Sequence, residues 1–529
     1  MKRMLSLLLA LCMLVALLTG CGGNNTADTP DDSPDNAAEK ILVVRLSSDP
    51  PSLQPNASAN DAAYNVVSNI YSRLVKLDAS RQIIPDLATS WETSEDGLTM
   101  TFHLAENAYW HDGEKVTSED VKYTLDYIMA HDTCLRYKIF NQYIENIETP
   151  DELTVVINLK SPYAATLLGY LGYYATFILP QHLLDNGQTW EENPYSMTPV
   201  GCGPFKYDSS IPGVSITLAK NENYFQNEVK LDGLVFQIIP DTTTAVQALY
   251  SGEIDYTSAV PDSEALAMLN NSDYTLNLSV LPSPTYMFFN FEDETVSQLA
   301  VRQAIAMCVN REEISEKVFM GIRKPECNFY PSIVEWASNS DAPAPSYSIE
   351  EAKAVLEAAG FTKDADGYYI RGLILDCFTT DSNPDIAKLI CAACAEAGIE
   401  ITVNTMEYQA WIQKVGTDGD FQIAIVGGFQ GPDVSALANR VGTGGTSNYG
   451  HYSNERVDEL FIQGLNSTDN EVRKPFYYEI QEILSQELPI VPIVQYASYH
   501  AQASYVVDTP YECVGKAGWI EFSYADIVS

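Results

Sequence analysis

The 529-residue chain contains one long apolar run, and it lies at the extreme N-terminus. Met4 to Leu18 is uncharged over 15 residues, and it follows Lys2 and Arg3, the only charges before residue 28. That length is short for a membrane-spanning helix, which needs about 20 residues, and it matches the hydrophobic stretch of a signal peptide. No later segment approaches about 18 consecutive apolar residues, which excludes a polytopic membrane protein. The rest of the chain must bury its apolar side chains in a globular body built from short elements.

Directly after the run come Leu18-Thr19-Gly20-Cys21. Small residues ahead of a cysteine at this place resemble a bacterial lipobox. The resemblance implies removal of residues 1–20 and lipid modification of Cys21; an ordinary signal peptide with a chance cysteine is the other reading. Residues 22–40, GGNNTADTPDDSPDNAAEK, carry no large apolar side chain and so cannot contribute to a core. They read as a disordered tether with a root-mean-square reach of about 25 Å. The expected location is therefore the extracytoplasmic face of the cell membrane, through a lipid anchor.

Charge removes further classes. The chain has 71 acidic and 30 basic residues, a net −41, and loss of Lys2 and Arg3 leaves −43. A nucleic-acid partner is excluded, since phosphate binding needs Lys and Arg. A basic face for anionic lipid is excluded for the same reason. A hydrophobic content of 46% excludes a disordered chain.

The body alternates short apolar runs with amphipathic stretches, which predicts an α/β fold. Strands are expected at Ile41–Leu46, Leu153–Leu159, Leu234–Pro240, Ile399–Asn404 and Phe421–Gly428. A helix opens at Thr117-Ser-Glu-Asp120, a capping box with Asp in place of Glu, and presents Val121, Leu125 and Ile128 on one face. Further helices are expected at Thr242–Tyr250 capped by Asp241, after the capping box Ser348-Ile-Glu-Glu351, and at Glu471–Gln486 with Val472, Phe476, Ile480 and Leu484 in phase. Lys363–Tyr369 reads as a tight turn around Asp366-Gly367.

Motifs for catalysis and metal binding are missing. There is no GxSxG, SxxK, Walker A loop or complete GxGxxG. Gly442-Thr-Gly-Gly445 reads as a flexible loop. The histidines 103, 111, 131, 182, 451 and 500 make no metal-ligand spacing, so no metal or cofactor is expected. Cys391-Ala-Ala-Cys394 could be a redox pair or half a metal site, but it reads best as two core residues on one helical face. Pairing among the eight cysteines beyond Cys21 cannot be read from their irregular spacing.

Several collinear segments resemble the extracellular solute-binding proteins of family 5, which serve peptide and nickel ABC importers. They include Ile83-Ile-Pro-Asp-Leu-Ala-Thr-Ser-Trp91-Glu, Trp110-His-Asp-Gly113 to Val121, Pro199-Val-Gly-Cys-Gly-Pro-Phe205 and Ile239-Pro-Asp-Thr-Thr-Thr-Ala245. Val301-Arg-Gln-Ala-Ile305, Gly450-His-Tyr-Ser-Asn454 to Leu460 and Leu488-Pro-Ile-Val-Pro492 continue the series, so the likeness spans about residues 41–500. Trp110-His-Asp-Gly113 is also explained as a turn, with His111 structural.

The resemblance implies a two-lobed periplasmic-binding-protein-like fold of type II with an extra subdomain and a ligand in the inter-lobe cleft. Lobe I would comprise 41–280 and 495–529, with the subdomain at 66–189, and lobe II would be 281–494. The function implied is a monomeric, non-enzymatic receptor. It would capture oligopeptides or dipeptides and deliver them to the transmembrane subunits of an ABC permease and their ATPases. A receptor for another solute, such as a nickel chelate or a sugar, and a surface hydrolase are the alternatives.

Candidate ligand contacts follow from position in the family. Tyr286 and Asn290 lie just after the first crossing between lobes. Tyr408 and Trp411 follow one strand, and Phe429, Gly431 and Asp433 follow another. Ser48 ends the first strand. Many members carry an acid directly before the proline at 432, where this chain has Gly431. Asp433, just beyond that proline, can either anchor a peptide's free amine or cap its own loop.

Overall fold

The computed structural model describes residues 39–528 apart from 58–59, 79–81, 174–175, 191, 197, 282, 380–381, 428–430, 432 and 511–520. The signal-like run, Cys21, most of the tether, Phe429 and Cys513 lie outside the described residues. Three sheets organise Lys40–Ser529, which forms one unit.

A seven-stranded sheet runs in the order 274–280, 497–503, 256–258, 41–46, 233–238, 215–220, 205–211. The strand Ile41–Leu46 lies parallel to Gly233–Ile238, with Ile41 opposite Gly233 and Leu46 opposite Ile238. Such pairs need a crossover connection, and here more than 180 residues intervene. Much of that excursion builds a four-stranded antiparallel sheet in the order 88–93, 99–104, 154–159, 144–151. The helix Ser118–Ala130 carries Val121, Leu125 and Ile128, all fully buried, into the same core as that sheet. It opens as its sequence requires, with the Thr117 N–H donating to Asp120 Oδ2 at 2.8 Å.

A five-stranded sheet follows, in the order 399–406, 370–378, 423–426, 285–289, 490–494. Ile370–Phe378 is parallel to both Ile399–Met406 and Ile423–Val426. The helix Asn383–Glu396 makes the first crossover, and it buries Ile386, Ala387, Ile390 and Cys394. Cys391 is half-buried, so both cysteines of the CxxC sit on the packed side of that helix, as free thiols. Burial pushes the Cys391 thiol up to about 12, which makes it inert as a nucleophile. All seven cysteines among the described residues are free.

Two strands tie the sheets together. The chain leaves the seven-stranded sheet at Val280 and enters the five-stranded one at Thr285; it returns between Val494 and Ala497. The two-lobed α/β architecture is thus built from two sheets joined by paired, antiparallel connections.

The long helix Asn470–Glu487 keeps its expected phase at Ile480 and Leu484, both fully buried, and at Phe476, half-buried against the same core. It departs at Val472, which is 53% exposed, while Arg473, Tyr477 and Gln481 are buried. In its first turn the apolar pattern points one residue away from the buried side because a charged residue, Arg473, belongs there. His111 staples a turn. Its Nε2 faces the Gly203 carbonyl at 3.0 Å, and its Nδ1 accepts the Gly201 N–H at 3.2 Å. Gly201 has to be glycine, since a Cβ there would stand 1.9 Å from the Ile70 carbonyl oxygen.

Candidate binding site

The strand Ile423–Val426 ends at a loop that leads into the 3-10 turn Val434–Leu437 and the short helix Ala438–Val441. Loops at the carboxyl ends of parallel strands face the crevice of an α/β sheet. Asp433 stands at this place. Its Oδ1 accepts the Ser435 N–H at 3.0 Å, capping the turn, and accepts Arg473 Nη2 at 2.6 Å. The Asp433 side chain is only 11% exposed. Burial pushes the carboxyl up, but the Arg473 charge and hydrogen bond outweigh it and hold the group below the usual carboxylate range. Arg473 is fixed in turn: Nε donates to the Gly464 carbonyl at 2.8 Å, and the guanidinium stacks over Trp336 at 5.1 Å.

These groups form one wall of a cavity of about 270 Å³. Tyr330, Val334 and Trp336 continue that wall. The opposite wall comes from the other lobe, from Gln82, Ile83, Trp91, Ala165, Leu168 and Gly169. The two walls meet where Thr166 Oγ1 lies 2.7 Å from Ser435 Oγ, both buried. The result is an aromatic-lined chamber of mixed polar and apolar character with one buried ion pair.

Gly431 lines the chamber and has a φ of +154°. A Cβ there would sit 2.2 Å from the Ala436 Cβ, so a side chain at this position has no room in this loop. Asp433 caps its loop.

The remaining candidates are placed differently. Trp411 is fully buried in the core of its lobe, with its indole N–H 3.5 Å from the Asp376 carbonyl oxygen and its ring edge-on to Phe378 and Phe288. Tyr286 is buried and donates to the Phe329 carbonyl at 2.8 Å. Asn290 clamps a turn, donating to the Phe421 carbonyl at 2.9 Å and accepting the Glu292 N–H at 3.0 Å. Tyr408 is 47% exposed and lies parallel to Trp411 at 6.4 Å. Ser48 is half-buried in the bend after the first strand. None of these five lines the chamber around Asp433. Arg473, Trp336 and Leu168 do, and no local motif marks them.

Ser498 and His500 do not form a catalytic triad. Ser498 Oγ lies 3.4 Å from His500 Nε2, but Nδ1 faces the Tyr256 hydroxyl at 3.0 Å rather than a carboxylate. Burial lowers His500 to about 3, far from the range of a general base at neutral pH. Among the described residues no group of three or more His, Cys, Asp or Glu side chains is placed to hold a metal ion. Nor is any helix among them long and apolar enough to cross a membrane.

Residues 82–449 match the family model for bacterial extracellular solute-binding proteins, family 5 Middle. The dipeptide-binding protein DppE of Bacillus subtilis is 27% identical over 552 aligned positions, covering 99% of each chain. The heme-binding protein A of Haemophilus influenzae is 26% identical and covers 93% of this chain and 94% of its own. The ABC transporter substrate-binding protein CtaP of Listeria monocytogenes superimposes with a TM-score of 0.80 at 22% identity, over 93% of this chain and 100% of its own. The match to the family model spans more than half of the chain, and the protein belongs to the bacterial extracellular solute-binding proteins of family 5.

Proposed function

We propose that the protein is a monomeric, lipid-anchored receptor that captures short peptides in the cleft and hands them to an ABC permease without chemical turnover. The observation that carries this reading is the chamber between the lobes, with the Asp433 carboxylate on its wall, where it can meet a peptide's amine. The likeness to a dipeptide-binding protein along the whole chain supports it. A volume of about 270 Å³ lies at the low end for small-ligand sites, which favours a short ligand. Anchoring through Cys21, the boundaries near 280 and 494, and closure about the two crossings belong to the same reading. Solute bridging both walls would favour the closed arrangement.

A second reading is a solute without a free amine, such as a chelated metal, a sugar or a heme. The buried Arg473–Asp433 pair favours it, because the carboxylate already has a cation. The relative named for heme binding points the same way.

Calorimetric titration with di- to pentapeptides, with mass spectrometry of the mixtures, tests the proposal. Binding with the peptides recovered intact is the expected result. Release of cleaved products, or no binding to any peptide beside a different solute co-purifying in native mass spectra, would overturn it. D433N should weaken peptides with free amines at least tenfold and spare their acetylated forms. Equal loss for both would remove Asp433 from the amine role.

A further inference from the structure

An ion pair joins the bodies built on the two large sheets, and it lies beside the strands that cross between them. After the helix Arg311–Phe319 the chain runs antiparallel to the return crossing. Pro325 pairs with Val494, the Lys324 carbonyl accepts the Gln495 N–H at 3.0 Å, and the Glu326 N–H donates to the Ile493 carbonyl at 3.1 Å. Arg323 opens this segment and is carried by the five-stranded body. Ser315 Oγ donates to its carbonyl at 2.7 Å, and its guanidinium lies over Phe319 at 4.5 Å. Its Nη2 reaches across to Asp262 Oδ1 at 3.5 Å. Asp262 opens the helix Asp262–Met268, which packs on the seven-stranded sheet. Among the described residues no other ion pair crosses between the two bodies.

The pair is loosely made in the arrangement seen, in which the chamber walls touch through Thr166 and Ser435. A contact of 3.5 Å is at the limit of a hydrogen bond, against 2.6 Å for Arg473 and Asp433. Arg323 Nε is withdrawn from solvent and makes no hydrogen bond. The same holds for the hydroxyl of Tyr499, a residue of the seven-stranded sheet whose ring centre is 6.0 Å from the Arg323 guanidinium. The side chains of Arg323 and Asp262 are only 16% and 21% exposed, so water cannot fully replace the missing bonds. Buried polar groups are normally bonded, and a donor and a hydroxyl left unbonded side by side mark strain in this arrangement. The two sides ride on different bodies, so rotation about the crossings changes their separation without disturbing either core. Ile322 packs against the apolar cluster that contains Leu249, Met268 and Tyr499, which keeps the bodies in contact at this point.

We propose that Arg323, Asp262 and Tyr499 form a latch of the open arrangement. Slack while the cleft is shut, it tightens as the lobes swing apart, with the Asp262 carboxylate and the Tyr499 hydroxyl oxygen both accepting from the guanidinium. The latch opposes closure and so lowers the apparent affinity for solute. This inference rests on the reading of the cleft as a solute site that closes about the crossings, and it adds the residues that set the balance between the two arrangements. They are positioning residues, and none of them lines the chamber.

Small-angle X-ray scattering of the solute-free protein tests the latch, with R323M, D262N and Y499F beside the wild type. Each variant should have a smaller radius of gyration than the wild type, since each removes a bond made only in the open arrangement. The double variant R323M/D262N should match R323M, because the two residues act through one contact. In titrations with di- to pentapeptides, R323M and Y499F should bind about two- to fivefold more tightly, the range a single ion pair of this exposure supports. Y499F keeps the charges and the shape, so it decides the matter even if a charge variant fails to fold. A radius unchanged or larger in R323M and Y499F overturns the inference, and so does weaker peptide binding. Variants that only melt lower, with the radius and affinity of the wild type, would show a structural role and overturn it as well. If no peptide binds, the peptide reading falls, and the scattering of the solute-free proteins alone decides about the latch.

Discussion

Asp433 and Arg473 show how a single pair can be both scaffold and site. Each leaves an uncompensated buried charge if the other is removed, and breaking such a pair costs about 3 kcal/mol. D433N and R473M should therefore each lower the stability of the second lobe by about that much in urea. The double variant should lose clearly less than the sum, because the second change removes the stranded charge. Additive losses would mean that the 2.6 Å contact carries no coupling. His111 supplies a second test at this scale. Burial lowers its pKa to about 4 from an ordinary 6.5, so the unfolded chain binds the proton first. Its contribution is complete above pH 6.5 and is lost as pH falls toward 4. The buried His500 acts with the same sign. Asp86, pushed up to about 6 by burial, acts with the opposite sign between pH 6 and 4 and offsets part of the loss. H111Q can still donate to Gly203 and accept from Gly201, and it should retain about 1–2 kcal/mol more of its neutral-pH stability at pH 5 than the wild type does. Denaturation curves at pH 7 and pH 5 for both proteins measure the difference.

At the scale of elements, the contact between Thr166 and Ser435 joins the helix Ala164–Leu171 to the 3-10 turn Val434–Leu437. Replacing Thr166 with Val keeps the shape and removes the hydroxyl, which leaves Ser435 with one fewer partner. The loss should be about 1 kcal/mol in favour of the open arrangement. Faster release of bound solute, with stability of each lobe unchanged, is the expected result in stopped-flow fluorescence. An unchanged release rate would show that the contact does not hold the lobes together. The elements themselves were largely legible. Local rules state where helices open, and Thr117/Asp120, Ser348 and Asp241 cap theirs as the rules require. Strands such as Ile399–Met406 follow from β-branched runs. The site was less legible, because its walls come from residues up to about 390 positions apart and only the tertiary fold brings them together. Trp411, after a strand, and Tyr286, after the first crossing between lobes, read as candidate ligand contacts, yet both fill cores. Arg473 was hidden because a buried charge with a distant partner breaks the apolar periodicity that locates a helical face.

For the whole molecule, the net charge of −41 and the buried cations act over different ranges. Surface acids repel an approaching anion across about a Debye length, roughly 8 Å in physiological salt. Arg473, on the chamber wall, acts only at the short range of the cleft itself. Association should thus respond to salt in opposite ways for cationic and anionic solutes, while retention should respond little. For a peptide carrying net positive charge the association rate should fall as salt rises, since steering is screened. For one carrying net negative charge it should rise, because the repulsive field weakens. Dissociation should change little in either case, as the contacts inside a chamber walled by Trp91, Trp336 and Leu168 are shielded from ions. Those two tryptophans provide the signal, and stopped-flow fluorescence from about 20 to 500 mM salt with matched cationic and anionic peptides separates the two rates. If both association rates move in the same direction with salt, the acidic surface does not govern encounter, and local charge at the cleft mouth does.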